Sequence, residues 1–80
     1  MTTTNKSFLQ FRDAGTSPSG RTGIFHVHNL SGMYLGEIRW HAPWRRYVFA
    51  TYGDLLFDAQ CMAEITTKIL ELMTERARRR

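Results

Sequence analysis

Cysteine is nearly absent from this chain, which has a single one, Cys61, among its 80 residues. No intrachain disulfide can form, which excludes the small secreted scaffolds that fold around several disulfides. The N-terminal residues lack the apolar core of a signal peptide, and no apolar run approaches the roughly 20 residues that span a bilayer. We therefore expect a cytoplasmic protein that does not enter a membrane.

The chain is also too short to form more than one domain. We expect residues 1–80 to form a single domain, and a domain of this size buries a small share of its surface. Without disulfides or a metal, association with a second copy is one way for so small a chain to gain buried area. A homodimer is therefore predicted.

Acidic residues are scarce, with seven against eleven lysines and arginines, and the net charge is +4. The excess resides in the C-terminal arginines Arg76, Arg78, Arg79 and Arg80, because the other basic side chains are equal in number to the acidic ones. Two interpretations stay open. Cations at a helix C-terminus interact favourably with the helix dipole, whereas a basic arm, here with residues 78–80 as its tail, can bind nucleic-acid phosphates.

A β-meander is predicted over residues 24–52, where apolar and polar residues alternate. A two-residue turn at Ser31-Gly32 joins its first two strands and places His26 opposite Glu37. Residues 7–12 are a further candidate strand. The register predicts two faces: one carries Phe25, Val27, Tyr34, Gly36, Ile38 and Trp40, and the other carries Ile24, His26, His28, Leu35, Glu37 and Arg39.

Before the meander lies a segment rich in Gly, Ser, Thr and Pro, residues 13–23, which is predicted as a flexible loop outside the core. Within it, Gly15, Gly20, Arg21 and Thr22 nearly match a phosphate-binding loop. That motif works by opening a helix whose amides hold the phosphate. The residues that follow have a strand pattern, so the sequence predicts no nucleotide site here.

A helix is predicted over residues 58–77. Asp58 is suited to the N-cap position, because its carboxylate can accept hydrogen bonds from free backbone amides. Glu64 and Lys68 are spaced to form an ion pair on the outer side. Apolar residues at three- and four-residue spacing form one stripe: Met62, Ile65, Ile69, Leu72 and Met73. The predicted fold is therefore α+β, a three- or four-stranded antiparallel sheet with one C-terminal helix packed on one face.

The segment Leu35–Phe49 is dense in aromatic and basic residues, with both tryptophans and a single acid. The pattern reads Leu35-Gly36-x-Ile38-x-Trp40-x-x-x-Trp44-Arg45-x-Tyr47-x-Phe49, followed by Phe57, Cys61 and the terminal helix. It resembles a group of short uncharacterised proteins encoded by phages and other mobile elements, over roughly residues 25–72. The resemblance implies a compact accessory protein of a mobile genetic element and carries no assigned activity.

Two binding functions compete for the sheet face that the helix leaves open. That face mixes apolar residues with Arg and His, a composition typical of protein interfaces, which predicts docking on a second copy or on another protein partner. The alternative is DNA or RNA binding, in which arginines contact phosphates or read guanine. The candidate residues for either function are His26, His28, Arg39, Trp44, Arg45, Arg46, Arg76, Arg78, Arg79 and Arg80.

Catalysis and cofactor binding are not predicted. His26, His28 and Glu37 have metal-like spacing, but metal sites normally need three or four convergent ligands, and a cross-strand pair of His26 with Glu37 explains the pattern equally well. Cys61 lies in the first helical turn, where the dipole lowers a thiol pKa, but no base with an orienting group accompanies it. We therefore expect a non-enzymatic binding protein with no cofactor and no metal.

Overall fold

The computed structural model describes residues 7–78 and contains one antiparallel sheet and one helix. The strands lie side by side in chain order, so the sheet is a meander. They are β1 (Leu9–Thr16), β2 (Gly23–Asn29), β3 (Tyr34–His41) and β4 (Arg46–Thr51), and the helix is α1 (Ala59–Arg78). The predicted α+β fold is confirmed, and the sheet has four strands rather than three.

The first hairpin corrects the predicted flexible loop over residues 13–23. β1 continues to Thr16, which pairs with Gly23 beyond a bulge that follows Asp13. Only residues 17–22 form the turn, and the Ser17 amide closes it by donating to the Thr22 carbonyl oxygen at 2.8 Å. Thr22 is 5% exposed. Residues 13–16 and Gly23 therefore belong to the sheet, and hydrogen bonds within the turn order the residues between them.

The second hairpin keeps the predicted register for only part of its length. His26 pairs with Glu37 as predicted, but the register then shifts by one, so that His28 pairs with Tyr34 and Leu35 is the extra residue of a bulge. The predicted two-residue turn is wrong, because Asn29 organises a longer one: its Oδ1 accepts from the Met33 amide at 2.9 Å and from the Ser31 amide at 3.0 Å.

The bulge exchanges the faces of two side chains. Leu35 is buried in the core, where the sequence pattern places Tyr34. Gly36, directly after the bulge, has a φ of 152° and lies so close to β4 that a Cβ would collide with the Ala50 carbonyl oxygen and the Phe49 ring. A residue without a side chain is therefore required where the strand kinks.

The core lies between the sheet and α1. Val27 and Ile38 at its centre are fully buried, with 0% exposure. The buried hydrophobic residues are Leu9, Val27, Leu35, Ile38, Tyr47, Ile65 and Leu72. The molecule measures 35 × 34 × 20 Å, so it is only two layers thick in its short dimension. α1 packs on one face of the sheet only.

The helix begins and ends close to the predicted positions. Asp58 is the N-cap, since its Oδ1 accepts from the Cys61 amide at 2.9 Å, and α1 ends at Arg78, one residue later than predicted. Ile65 and Leu72 are the buried residues of the stripe that faces the sheet, whereas Met62 is 53% exposed. The predicted stripe is therefore correct except at its first member.

Glu64 has a different role from the one predicted. Its carboxylate accepts from the Phe8 amide at 2.9 Å and from the Leu9 amide at 3.2 Å, and so it holds the start of β1 against the helix. Lys68 lies over the Phe25 ring instead, with its Nζ 4.7 Å from the ring centroid. The predicted ion pair is wrong because both side chains find partners in the sheet.

Candidate functional site

The sheet face opposite α1, called the open face below, is the main candidate site. Its residues alternate along each strand with those that enter the core, and pairing aligns Arg12 with His26, Glu37 with Ala50, and Arg39 with Val48. The side chains of this face belong to Gln10, Arg12, Ile24, His26, His28, Tyr34, Glu37, Arg39, Arg46, Val48, Ala50 and Tyr52. No element among residues 7–78 covers them.

Four aromatic rings of the open face pack into one group, called the histidine–tyrosine cluster below. Tyr34 is at its centre, with ring centroids 5.1 Å from His26, 5.5 Å from His28 and 5.3 Å from Tyr52. Tilted and edge-on contacts at these distances are the favourable arrangements for aromatic pairs. The cluster therefore presents a ready-packed aromatic surface, and it exists because the bulge brings Tyr34 to this side.

Glu37 organises the charges beside the cluster. Its Oε1 lies 3.6 Å from His26 Nε2, and its Oε2 lies 3.2 Å from an Arg39 guanidinium nitrogen. The predicted cross-strand pairing of His26 with Glu37 is present. Arg39, a candidate for binding phosphate, is thus partly neutralised on its own face. Arg12, which donates to Gln10 Oε1 at 3.0 Å, has no such carboxylate partner among residues 7–78.

His28 has one of its ring nitrogens enclosed within the structure. Its Nδ1 is buried with no hydrogen-bond partner among residues 7–78. Burial lowers the pKa of His28, and the neighbouring charges of Arg12 and His26 lower it further. Burial also raises the pKa of Tyr34, followed by the effect of Glu37. Both shifts favour the uncharged forms of the two rings near neutral pH.

The structure divides the predicted arginines between two sides of the molecule. Arg39 and Arg46 lie on the open face, whereas Arg45 lines a groove on the helix side together with Arg76. The division arises at a short 3-10 helix, Ala42–Trp44, which ends at Arg45 in the left-handed conformation with φ 55°. Adjacent residues in the sequence therefore serve different surfaces.

The remaining candidates lie around these two surfaces. Trp44 is 64% exposed and meets His41 edge-on, with centroids 4.9 Å apart. Arg76 stacks on Trp40, with its guanidinium carbon 4.1 Å from the ring centroid, so it does not extend freely as a basic arm. Arg78 is exposed at the end of α1. The predicted contacts of Arg79 and Arg80 lie outside the described residues.

Cys61 has a less reactive environment than its helical position predicts. Burial raises the pKa of its thiol, and the Asp58 carboxylate beside it raises that pKa further. The predicted lowering by the helix dipole is therefore wrong, because burial and the capping carboxylate outweigh it. Residues 7–78 contain no group of three or more His, Cys, Asp or Glu side chains that could hold a metal ion.

The sequence pattern does not predict that several residues lie on the open face. Gln10, Arg12 and Tyr52 belong to segments with weak strand patterns, and the alternation of Leu9 and Phe11 with Gln10 and Arg12 is the one signal that could have placed the β1 side chains. Tyr34 has no such signal, because its position depends on a bulge that the hydrophobic pattern does not mark.

These observations define a class: a small two-layer α+β domain with an uncovered sheet face. The chain is 38% identical over 60 residues to the "Uncharacterized 9.3 kDa protein" of Acholeplasma phage L2, which covers 74% of this chain and 77% of the phage protein. The chain therefore belongs to the family of this small phage protein. No model of a known protein family matches it, and no solved structure matches it significantly.

The comparison confirms the predicted resemblance to short uncharacterised phage proteins. The specific motif that joins Trp40 and Trp44 to Phe49 stays a prediction. No helix among residues 7–78 is long and apolar enough to cross a membrane.

Proposed function

We propose that this protein is a non-enzymatic accessory protein of a mobile genetic element, acts in the cytoplasm, and docks through its open face on a second copy of itself. The observation that carries the proposal is the uncovered histidine–tyrosine cluster. Its rings are packed together, and the pKa shifts of His28 and Tyr34 favour their uncharged forms, so covering these two rings costs little in desolvation or in side-chain entropy.

The composition of the open face supports a protein partner. Tyrosine and arginine are enriched in interface cores, and here Tyr34 and Tyr52 share the open face with the apolar side chains of Ile24, Val48 and Ala50. The last three are each half-buried within one molecule. Further burial of such side chains contributes about 25 cal/mol for each Å² of apolar area removed from water.

The charges of the open face support a second copy as that partner. The face carries the carboxylate of Glu37 and the guanidinium groups of Arg12, Arg39 and Arg46. A two-fold axis presents the same patch of each copy to the other, so the carboxylate of one copy can face an arginine of its partner. Opposite charges on one patch therefore make the face complementary to itself.

The small core is a further reason for association. Among residues 7–78, seven hydrophobic side chains are buried, and a domain of this size usually needs an added source of burial. The molecule is 20 Å thick in its short dimension and consists of two layers. Face-to-face docking would place the sheet of a second copy about 10 Å from the open face and so cover that face with a further layer.

Analytical ultracentrifugation of the full chain tests the dimer. Val48→Arg adds a positive charge beside Arg39 on the open face, and Thr66→Arg makes the matched change on the exposed side of α1. We expect dimers for the natural chain and for Thr66→Arg, and monomers for Val48→Arg with an unchanged circular dichroism spectrum. A monomeric natural chain at about 100 μM would exclude the proposal, since specific interfaces of standard size bind far more tightly.

Binding of single-stranded nucleic acid is the second candidate function. The observation that favours it is the presence of the aromatic cluster on the same sheet face as Arg12, Arg39 and Arg46. Proteins that bind single strands stack bases on aromatic rings while basic side chains follow the backbone. Glu37 weighs against this function, because its carboxylate lies at the centre of the same surface.

Fluorescence polarisation with labelled single-stranded and duplex oligonucleotides at two salt concentrations tests this candidate. The variants are Arg39→Ala combined with Arg46→Ala, and a chain truncated after Ala77. Salt-sensitive binding that the double substitution abolishes would establish the open face as the nucleic-acid site. Binding lost only on truncation would indicate a nonspecific basic tail, and no binding at low salt would exclude the candidate.

A further inference from the structure

We propose that a groove on the helix side of the sheet binds a phosphate group through Arg21, Arg45 and Arg76. This site, called the basic groove below, lies at the C-terminal end of α1, between the turn of residues 17–22 and the β3–β4 connection. It is separate from the open face, so it does not depend on the proposed dimer.

The three arginines come from three different parts of the chain. Arg21 belongs to the β1–β2 turn, Arg45 follows the short 3-10 helix, and Arg76 lies in the last turns of α1. All three line the same groove, with Tyr47 and Leu72 among the apolar residues beneath. The fold alone brings them together, since no two are closer than twenty residues in sequence.

Arg76 is held in place before any ligand arrives. Its guanidinium group lies over the Trp40 ring at 4.1 Å from the centroid, and Trp40 is itself fixed edge-on against Tyr47 at 5.4 Å. A stacked guanidinium keeps its in-plane N–H donors available at the ring edge. Little side-chain entropy is therefore lost when an anion binds to Arg76.

The turn that carries Arg21 is ordered by its own hydrogen bonds. The Gly20 amide donates to the Ser17 carbonyl oxygen at 2.8 Å, and Thr22 Oγ1 donates to Ser17 Oγ at 2.9 Å. Gly20 has a φ of 74° with open space above it, so its backbone leaves the mouth of the groove clear. The segment does not open a helix, and the site it forms is therefore not a nucleotide-binding loop.

The charges of the basic groove favour an anion with several oxygens. Glu75 is the one acid in the lining, and within residues 7–78 no salt bridge joins it to an arginine. Carbonyl groups at the end of α1 oppose a nearby anion, so one arginine is not enough. A phosphate group offers oxygens to several guanidinium groups at once, and the planar fork of each guanidinium can donate two parallel hydrogen bonds to a pair of those oxygens.

NMR titration of the full ¹⁵N-labelled chain with sodium phosphate, at constant ionic strength, tests the site. We expect saturable shifts at the Gly20 and Arg21 amides and at the Arg45 and Arg76 side-chain Nε signals. Arg21→Gln changes an exposed turn residue and should weaken binding about tenfold, which equals the loss of one charge-assisted hydrogen bond. Arg39→Gln on the open face is the matched control and should bind as the natural chain does.

A second titration with a short oligothymidylate identifies the source of the phosphate. Shifts of the same groove signals at lower concentration than with free phosphate would assign the site to a nucleic-acid backbone. Groove shifts with free phosphate alone would assign it to a small phosphorylated ligand. The proposal is overturned if Arg21→Gln and Arg45→Gln both leave the phosphate titration unchanged, or if the shifts do not saturate and extend equally to Arg12 and Arg39.

Discussion

The two faces of this sheet differ in what the chain itself provides for them. The covered face has α1 as its second layer, and its central side chains, Val27 and Ile38, have no exposure. The open face has no second layer among residues 7–78, yet its rings are packed against one another and the pKa of His28 is lowered. One face is thus covered by intramolecular packing and the other is ordered but uncovered, so substitutions on the two faces should differ in their effect on the stability of the monomer.

The largest expected effect follows from Ile38→Ala on the covered face. Removing a fully buried aliphatic side chain leaves a cavity and costs about 2–5 kcal/mol of the free energy of unfolding. Urea denaturation followed by circular dichroism measures the loss. Ile24→Ala on the open face is the control. An equal loss of unfolding free energy for Ile24→Ala would contradict the distinction between the faces. The comparison is made at low protein concentration, where a dimer would dissociate.

Gly36→Ala should have the next largest effect. An added Cβ would meet the Ala50 carbonyl oxygen, and the φ of 152° is unfavourable for a side chain, so we expect a loss of about 1–3 kcal/mol. Gly32→Ala is the control, since Gly32 also has a positive φ but open space around it. If both substitutions lower the thermal midpoint equally, the close approach of β3 to β4 is not required for stability.

Glu64→Gln tests the link between helix and β1, with an expected loss on the order of 1 kcal/mol at neutral pH. Burial acts to raise the pKa of Glu64, but hydrogen bonds from the Phe8 amide, Gln60, Ser7 and the Leu9 amide outweigh it and lower the pKa. The carboxylate therefore stabilises the fold above the ordinary glutamate pKa of 4.5, and this stability is lost as the pH falls through the lowered value.

Thermal unfolding between pH 3 and pH 7 measures that dependence on pH. Glu71→Gln is the control, because Glu71 is exposed on the same helix. The Glu64 variant should have a flatter pH profile than the natural chain, whereas the Glu71 variant should match the natural chain. Identical profiles for all three proteins would show that Glu64 does not hold β1 in solution.

Arg39→Ala should have the smallest effect on stability. The ion pair between Arg39 and Glu37 is partly exposed on the open face. Exposed ion pairs contribute less than about 1 kcal/mol to the free energy of unfolding. Chemical denaturation at low protein concentration measures this, with Lys68→Ala as a comparison from the covered side. A loss above 2 kcal/mol would mean that the open face supports the monomer and is not reserved for a partner.

Local sequence signals account for much of the fold. The alternation in β2 to β4, the cross-strand pair of His26 with Glu37, and the Asp58 cap are read from neighbouring residues, and the structure contains them. The bulge at Leu35 is different, because it depends on Asn29 closing a longer turn than Ser31-Gly32 predicts. Hydrogen bonds from backbone amides to the Asn29 side chain favour the longer turn.

The candidate site was less predictable, because its contacts join distant parts of the chain. Arg76 stacks on Trp40 and Glu64 holds the start of β1, and no spacing in the sequence marks either contact. Arg45 and Arg46 are adjacent, yet a left-handed residue sends them to different surfaces. The surface that each of these two arginines reaches depends on the backbone angles of Arg45, which composition and periodicity do not determine.

The meander order of the sheet has a consequence for how the chain folds. Each strand pairs with the strand next to it in sequence, so the loops that must close are short, and folding in the millisecond range or faster is expected for such topology. The bond from the Phe8 amide to Glu64 spans 56 residues. Because closing so long a loop costs more entropy than pairing adjacent strands, we expect this contact to form after the sheet, so that the helix fastens a first strand that is already paired.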